Sequence, residues 1–130
     1  MIALDTSALA AIIFLEPEAE GFDRTIASQT ALIGAPTLFE VHQVVHRRSA
    51  ETGLNPVEHF LLRPTVRVVA FGLDHFRLAT TAFDRYGKGR GHPAQLNFGD
   101  CMAYAVAKAH GVPLLYNGTD FGQTDIASAA

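Results

Sequence analysis

Met1-Ile-Ala-Leu-Asp-Thr-Ser-Ala8 is a short apolar run that ends on a carboxylate and two hydroxyls. Four apolar residues in succession fit a buried strand and are too few for a helix. Asp5 then stands at the strand's C-terminal end. Thr6 or Ser7 is available as N-cap for a helix over 8–16, which Pro17 breaks. A strand that passes straight into a helix through polar residues is the opening unit of an α/β fold.

The remaining chain repeats that unit. A second helix is expected over 18–28 and a second apolar strand over 30–35. Pro36-Thr37 opens a third helix, with Leu38, Val41, Val44 and Val45 on one face and Gly53 as its end. Asn55-Pro56 reads as a cap followed by N1 proline for a short helix to about Arg63. Residues 66–71 read as the third strand. Residues 73–86 read as a helix with Phe76, Ala79 and Phe83 on one side. Gly87-Lys-Gly-Arg-Gly-His-Pro93 is a flexible basic loop. Asn97 caps a helix running to about His110, Gly111 closes it, and 112–116 is the fourth strand. The small-residue tail is expected to fray. Strands alternating with helices predict a three-layer α/β/α sandwich around a mainly parallel sheet.

Composition bounds the function. With 130 residues, 48% hydrophobic and 18% charged, the chain can bury a core and reads as one domain over 1–130. One cysteine, Cys101, excludes an internal disulfide and a cysteine-based zinc site. A net charge of −3 excludes coating of nucleic acid by bulk positive charge. No apolar run reaches the ~20 residues that span a bilayer, and the N-terminus lacks the basic region of a signal peptide. The chain reads as a cytoplasmic protein with no membrane association. The acids are concentrated in residues 1–40 and the bases in 41–99.

Ligands of parallel sheets bind at the C-terminal strand ends. Four carboxylates are candidates for that edge: Asp5, Glu40, Asp100 and Asp120. Each also has a local role open to it. Thr37-x-x-Glu40 fits a capping box, Asn97-x-x-Asp100 puts an acid in a helix first turn, Asp5 can cap, and Asp120 can turn the chain. Gathered together, four acids repel one another unless a cation lies between them. Oxygen-rich sites suit Mg²⁺ or Mn²⁺, and such ions activate water for phosphodiester cleavage.

Ile2-Ala-Leu-Asp-Thr-Ser-Ala8, Pro36-Thr-Leu-Phe-Glu40, Leu96-Asn-Phe-Gly-Asp-Cys101 and 114–125 together resemble the signature blocks of PIN-domain ribonucleases. More narrowly, they resemble the VapC toxins of bacterial toxin–antitoxin pairs. The likeness runs in order over nearly the whole chain. It implies a PIN-like α/β/α sandwich and a Mg²⁺-dependent endoribonuclease, with Mn²⁺ able to substitute. Asp5 and Asp100 match the family's two firmest metal ligands, and Glu40 matches the acid after the second strand. Many relatives have Asp where this chain has Gly118, so the last acid falls to Asp120 or, five residues on, Asp125; Asp120 is preferred as nearer the strand end. Thr6 and Ser7 match hydroxyl residues that bond a ligating carboxylate or a phosphate. The resemblance also implies an RNA substrate, a homodimer and a cognate antitoxin protein. The competing expectation is a catalytically inactive PIN-like module that binds RNA or protein.

Other residues carry weaker signals. Lys88 and Arg90 are candidates for RNA phosphates, as is Ser7. Arg47 and Arg48 are expected at solvent or a partner surface. His42 and His46 lack the intervening Glu of a zinc-protease motif. Cys101 reads as a buried structural thiol. Ala11, Ile12, Phe14 and Leu15, with Leu38, Val41 and Val45, offer apolar helical surface; some of these must face the core, and the excess is where a partner helix could dock. An aspartyl-phosphate enzyme is disfavoured, because the second Asp it needs is replaced by Ser7.

Overall fold

The computed structural model describes residues 1–48 and 55–130. Its elements run β1 (Ile2–Leu4), α1 (Thr6–Ile13), α2 (Ala19–Ala27), β2 (Ala31–Gly34), α3 (Ala35–Arg48), α4 (Pro56–Leu61), β3 (Val66–Val69), α5 (Leu73–Tyr86), α6 (Phe98–His110) and β4 (Leu114–Leu115). The expected end of the third helix at Gly53 lies outside the described residues. The four strands form one parallel sheet in the order β3-β2-β1-β4.

Alternation along these strands builds the three layers. Ile2, Leu4, Ala31, Ile33 and Leu115 face one side, where they pack with Leu9, Phe22, Ile26, Val41, Val45, Val57 and Phe60 from α1–α4. Ala3, Leu32 and Leu114 face the other side, against Ala79, Ala82, Tyr86, Tyr104 and Val106 from α5 and α6. Burying both faces is what lets such short strands hold a sheet: every side chain in β1, β2 and β4 is buried.

The strand order places the site. β2 and β3 are added on one side of β1, and β4 on the other, so the winding reverses between β1 and β4. Chain leaving the two strands at this switch point diverges and opens a crevice beyond their C-terminal ends. Asp5 follows β1 there, and Asn117 follows β4.

Three expectations are corrected. The tail does not fray: Leu114 bridges Ser128 in parallel, Leu114 N–H donates to the Ala127 carbonyl at 2.9 Å, and Ala129 N–H donates back to Leu114 at 2.9 Å. Ile126 is buried alongside, so the tail covers the free edge of β4. Second, Phe76 and Phe83 face outward, at 58% and 45% exposure, while Ala79 and Ala82 meet α6. Third, Ala11, Val41 and Val45 belong to the core and offer nothing to a partner; Leu15 and Phe39 are the exposed apolar side chains of that region. No described helix is long and apolar enough to cross a membrane.

Candidate active site

Asp5 is both the end of β1 and the N-cap of α1. Its Oδ2 accepts the Ser7 backbone N–H at 3.0 Å and the Ser7 hydroxyl at 2.6 Å. The Ser7 hydroxyl oxygen in turn accepts the Asn117 N–H at 2.9 Å, which ties the loop after β4 to the loop after β1. The side chain of Ser7 is therefore occupied in orienting a carboxylate and in joining two loops. Asp5 is 4% exposed, and its second oxygen, Oδ1, is buried without a hydrogen-bond partner.

Glu40 is not part of a capping box. α3 starts at Ala35, directly after β2, so Thr37 lies inside the helix and is buried, and Glu40 comes more than a turn in. Its Oε1 accepts the Thr6 hydroxyl, a contact from α1 to α3. Its carboxyl lies against the backbone of Gly99, where a Cβ would collide with it. The capping reading does hold for α6, where Asn97 Oδ1 accepts the Asp100 N–H at 2.9 Å and Asp100 Oδ2 accepts the Asn97 N–H at 3.0 Å. The cap fixes Asp100 at the start of α6 and leaves Oδ1 for other work.

Asp5, Thr6, Ser7, Glu40, Asn97, Asp100, Asn117 and Gly118 line one cavity of about 420 Å³, with Glu16 and Arg48. Burial, outweighing the Ser7 hydrogen bonds and helped by Glu40, pushes Asp5 up to about 6. Burial pushes Asp100 up to about 7 despite the Asn97 hydrogen bond, and the charges of Asp5, Asp120 and Glu40 add to it. Both shifts come first from taking a carboxylate out of water, and repulsion between the converging acids adds to them.

The four sequence candidates fare differently. Asp5, Glu40 and Asp100 share the cavity wall. Asp120 is exposed just before a single 3-10 turn at Phe121–Gln123, makes no capping bond, and acts on Asp100 through charge. Gly118 turns the chain at φ +102°, a conformation that side chains other than glycine rarely adopt, so this backbone cannot simply carry an Asp there. Asp125 is engaged elsewhere: Oδ1 accepts the Tyr104 hydroxyl at 2.8 Å and Oδ2 meets Lys108 Nζ at 2.7 Å. Burial raises the Asp125 pKa, but the Lys108 and Tyr104 hydrogen bonds outweigh it and hold the carboxyl below the usual range.

Lys88 and Arg90 do not line the cavity, and the Arg90 guanidinium lies 5.7 Å from the Phe83 ring centroid. Arg48 is exposed to solvent as expected, and it also lines the rim of the cavity. Its guanidinium sits 4.5 Å over the Phe14 ring, and Nη1 is 3.7 Å from Glu16 Oε1. That pair is partly exposed and is worth under about 1 kcal/mol. Cys101 is buried, and its thiol is pushed up to about 11 by burial and by Asp100, so it is no nucleophile at neutral pH. His42 stacks between Phe39 and His46 on the surface of α3.

The donor set suits a hard divalent cation. An orphaned buried oxygen on Asp5, whose charge burial and Glu40 disfavour and which shares its cavity with Asp100, is what such an ion would relieve. Among the described residues no three His, Cys, Asp or Glu side chains are drawn together as a finished ligand shell. Glu40 is turned to Thr6, and one oxygen of Asp100 is turned to its cap.

The fold is a parallel α/β sheet with carboxylates at its switch point, and comparison with known proteins supplies the family. The family model described as PIN domain matches residues 2–127, so the chain belongs to the PIN domain family. Within it the chain groups with the VapC ribonucleases. It is 41% identical over 130 residues to Ribonuclease VapC30 of Mycobacterium tuberculosis, covering 99% of this chain and 98% of that one. It is 40% identical to Ribonuclease VapC of Mycolicibacterium smegmatis, covering 98% of each. The fold matches the crystal structure of Mycobacterium tuberculosis VapC20, a sarcin-ricin loop cleaving toxin, with TM-score 0.77 at 20% identity over 98% of this chain and 97% of that one. It also matches a toxin–antitoxin complex from Klebsiella pneumoniae, with TM-score 0.72 at 16% identity over 100% and 98%.

Proposed function

We propose that this chain is a Mg²⁺-dependent endoribonuclease of the cytoplasm, the toxin of a toxin–antitoxin pair, with Mn²⁺ able to replace Mg²⁺. The observation that carries the reading is the buried Asp5, whose unpartnered oxygen shares a cavity with Glu40 and Asp100. Asp5, Asp100 and Glu40 would hold the metal, with Asp120 at the rim. The ion, when bound, supplies the positive charge that activates water and stabilises the phosphodiester transition state. The chain's own residues position and hold. Ser7 and the α1 N-terminus fix Asp5, the Asn97 cap fixes Asp100, and Thr6 holds Glu40 until a stronger partner arrives.

The relatives that are toxins in complexes support a protein partner for this chain. Leu73, Phe76 and Phe83 on α5, with Phe98 at 80% exposure, offer apolar surface for a second copy or for the antitoxin.

The reading is tested with purified protein and single-stranded RNA. Cleavage is expected with Mg²⁺ or Mn²⁺ and none in EDTA. Expression alone should arrest growth, and co-expression with the cognate antitoxin should restore it. Binding of RNA with no cleavage under any metal condition would leave the inert-module reading in its place.

The two tail acids separate cleanly. Asp120→Ala is expected to cut cleavage by about tenfold or more, as loss of a residue supporting a metal site does. Asp125→Ala removes the acceptor of a buried tyrosine hydroxyl and of Lys108. It should lower stability by about 1–3 kcal/mol in a thermal melt and only weaken cleavage. The reverse pattern would move the fourth acid to Asp125.

A further inference from the structure

We infer that Arg48 is the seat for a phosphate of the RNA strand next to the one being cut, and that Glu16 holds its guanidinium ready until RNA arrives. The inference deepens the proposed nuclease function and rests on it.

Among the described residues lining the cavity, Arg48 is the only cation; the charged groups around it are Asp5, Glu16, Glu40 and Asp100. A polyanion entering such a cavity meets net repulsion away from the metal. The phosphates flanking the scissile one therefore need counter-charge from the wall. Arg48 is placed to give it. Its guanidinium carbon lies 4.5 Å over the Phe14 ring, a cation–π contact that anchors it, and the 3.7 Å contact to Glu16 occupies it without a tight hydrogen bond. Glu16 has a second anchor, since its Oε2 accepts Asn117 Nδ2 at 3.1 Å. Glu16 can thus release Arg48 without losing its own place. A phosphate offers the guanidinium two short, parallel hydrogen bonds, which a carboxylate at 3.7 Å does not. The exchange keeps the cation paired in both states and directs the strand along the wall formed by α1 and α3.

A strut between α1 and α3 would have the same geometry, so the test separates the two roles by sign. A fluorescent single-stranded RNA dodecamer is titrated into wild type, Arg48→Ala, Arg48→Lys and Glu16→Gln in EDTA, with cleavage in Mg²⁺ measured in parallel. Arg48→Ala is expected to weaken binding about tenfold and to lower the salt dependence by about one ion. Arg48→Lys should recover part of it. Glu16→Gln should bind RNA more tightly, because it frees the seat. Replacing one RNA linkage by a neutral methylphosphonate should erase the difference between wild type and Arg48→Ala at a single position in the strand. Weakened binding by both Arg48→Ala and Glu16→Gln would show a strut and overturn the inference. So would an Arg48→Ala defect that survives every methylphosphonate, or none at all. If the binding pattern holds while wild type fails to cleave, the nuclease reading falls and the phosphate seat stands.

Discussion

Asp5→Asn and Asp100→Asn are each expected to abolish RNA cleavage and to make the metal-free protein more stable at pH 8. Loss of cleavage would follow from losing a carboxylate proposed to hold the ion. Several kcal/mol of transition-state stabilisation correspond to about 10³-fold or more in rate. Folding survives because asparagine caps as well as aspartate: the Asn side-chain oxygen can still accept from Ser7 at position 5 and from Asn97 at position 100.

The gain in stability comes from removing a charge that burial disfavours, with repulsion among the neighbouring carboxylates as the smaller part. Asp5 titrates near 6 and Asp100 near 7 in the folded chain, against an ordinary 3.8. The folded protein therefore binds more protons than the unfolded chain between these values. The stability that this proton binding contributes is complete below about pH 4 and is lost as pH rises through 6 and 7. At pH 8 the buried Asp5 charge alone costs about 2–3 kcal/mol, which Asp5→Asn removes, for a rise in Tm of about 5–10 °C. Thermal melts in EDTA from pH 4 to 8 check this. Wild type should lose stability over that range more steeply than either variant, and added Mg²⁺ should restore wild type most. Equal slopes in all three proteins would mean that the carboxylates are not in conflict. Cleavage at the wild-type rate by either variant would mean that the site lies elsewhere.

Gly99→Ala is expected to cut cleavage on the order of 100-fold with no loss of stability, an effect as large as removing a group that orients a ligand. Gly99 has ordinary helical geometry in the first turn of α6, where alanine is favoured over glycine by up to about 1 kcal/mol. The added methyl, however, would occupy the space of the Glu40 carboxyl. That carboxyl is the far end of a flexible side chain, so it moves aside at little energetic cost. In moving it leaves Thr6 and its position beside Asp5 and Asp100. A cleavage assay and a melt on the same sample decide the matter. A large fall in Tm would show that Gly99 serves packing, and full activity would show that Glu40 need not lie where it does.

The parts of this site that were legible in sequence are those with local signals. Asp5 ends an apolar run, and Asn97-x-x-Asp100 announces a helix start, so both fell where expected. Glu40 was placed at the right edge for the wrong local reason, because the helix begins two residues before its apparent signal, directly on β2. Arg48 could not be read. Its membership of the cavity depends on how α1 lies across α3, with Phe14 under the guanidinium, and no spacing within α3 encodes that. The outward turn of Phe76 and Phe83 was hidden for a related reason. Ala79 and Ala82 allow close approach to α6, and small residues carry little weight in a hydrophobic pattern. The pairing of the tail with β4 leaves no periodic mark at all, since it rests on backbone hydrogen bonds from residues that are small and irregular.

The knot of Asp5, Ser7 and Asn117 has a kinetic consequence. The Asn117 N–H reaches Ser7 across 110 positions of chain, and the Asp5 N–H reaches the Leu115 carbonyl across the same separation. Contacts so remote form only after the intervening segments have collapsed, because their loop-closure entropy is met late. Until β4 docks beside β1, Asp5 has only its local bonds to Ser7, and the crevice lacks the wall that Asn117 and Gly118 supply. A ribosome-bound chain that has not yet released β4 has no assembled catalytic pocket. Closure of this crevice therefore waits on the docking of a strand distant in sequence from the carboxylate it helps to hold.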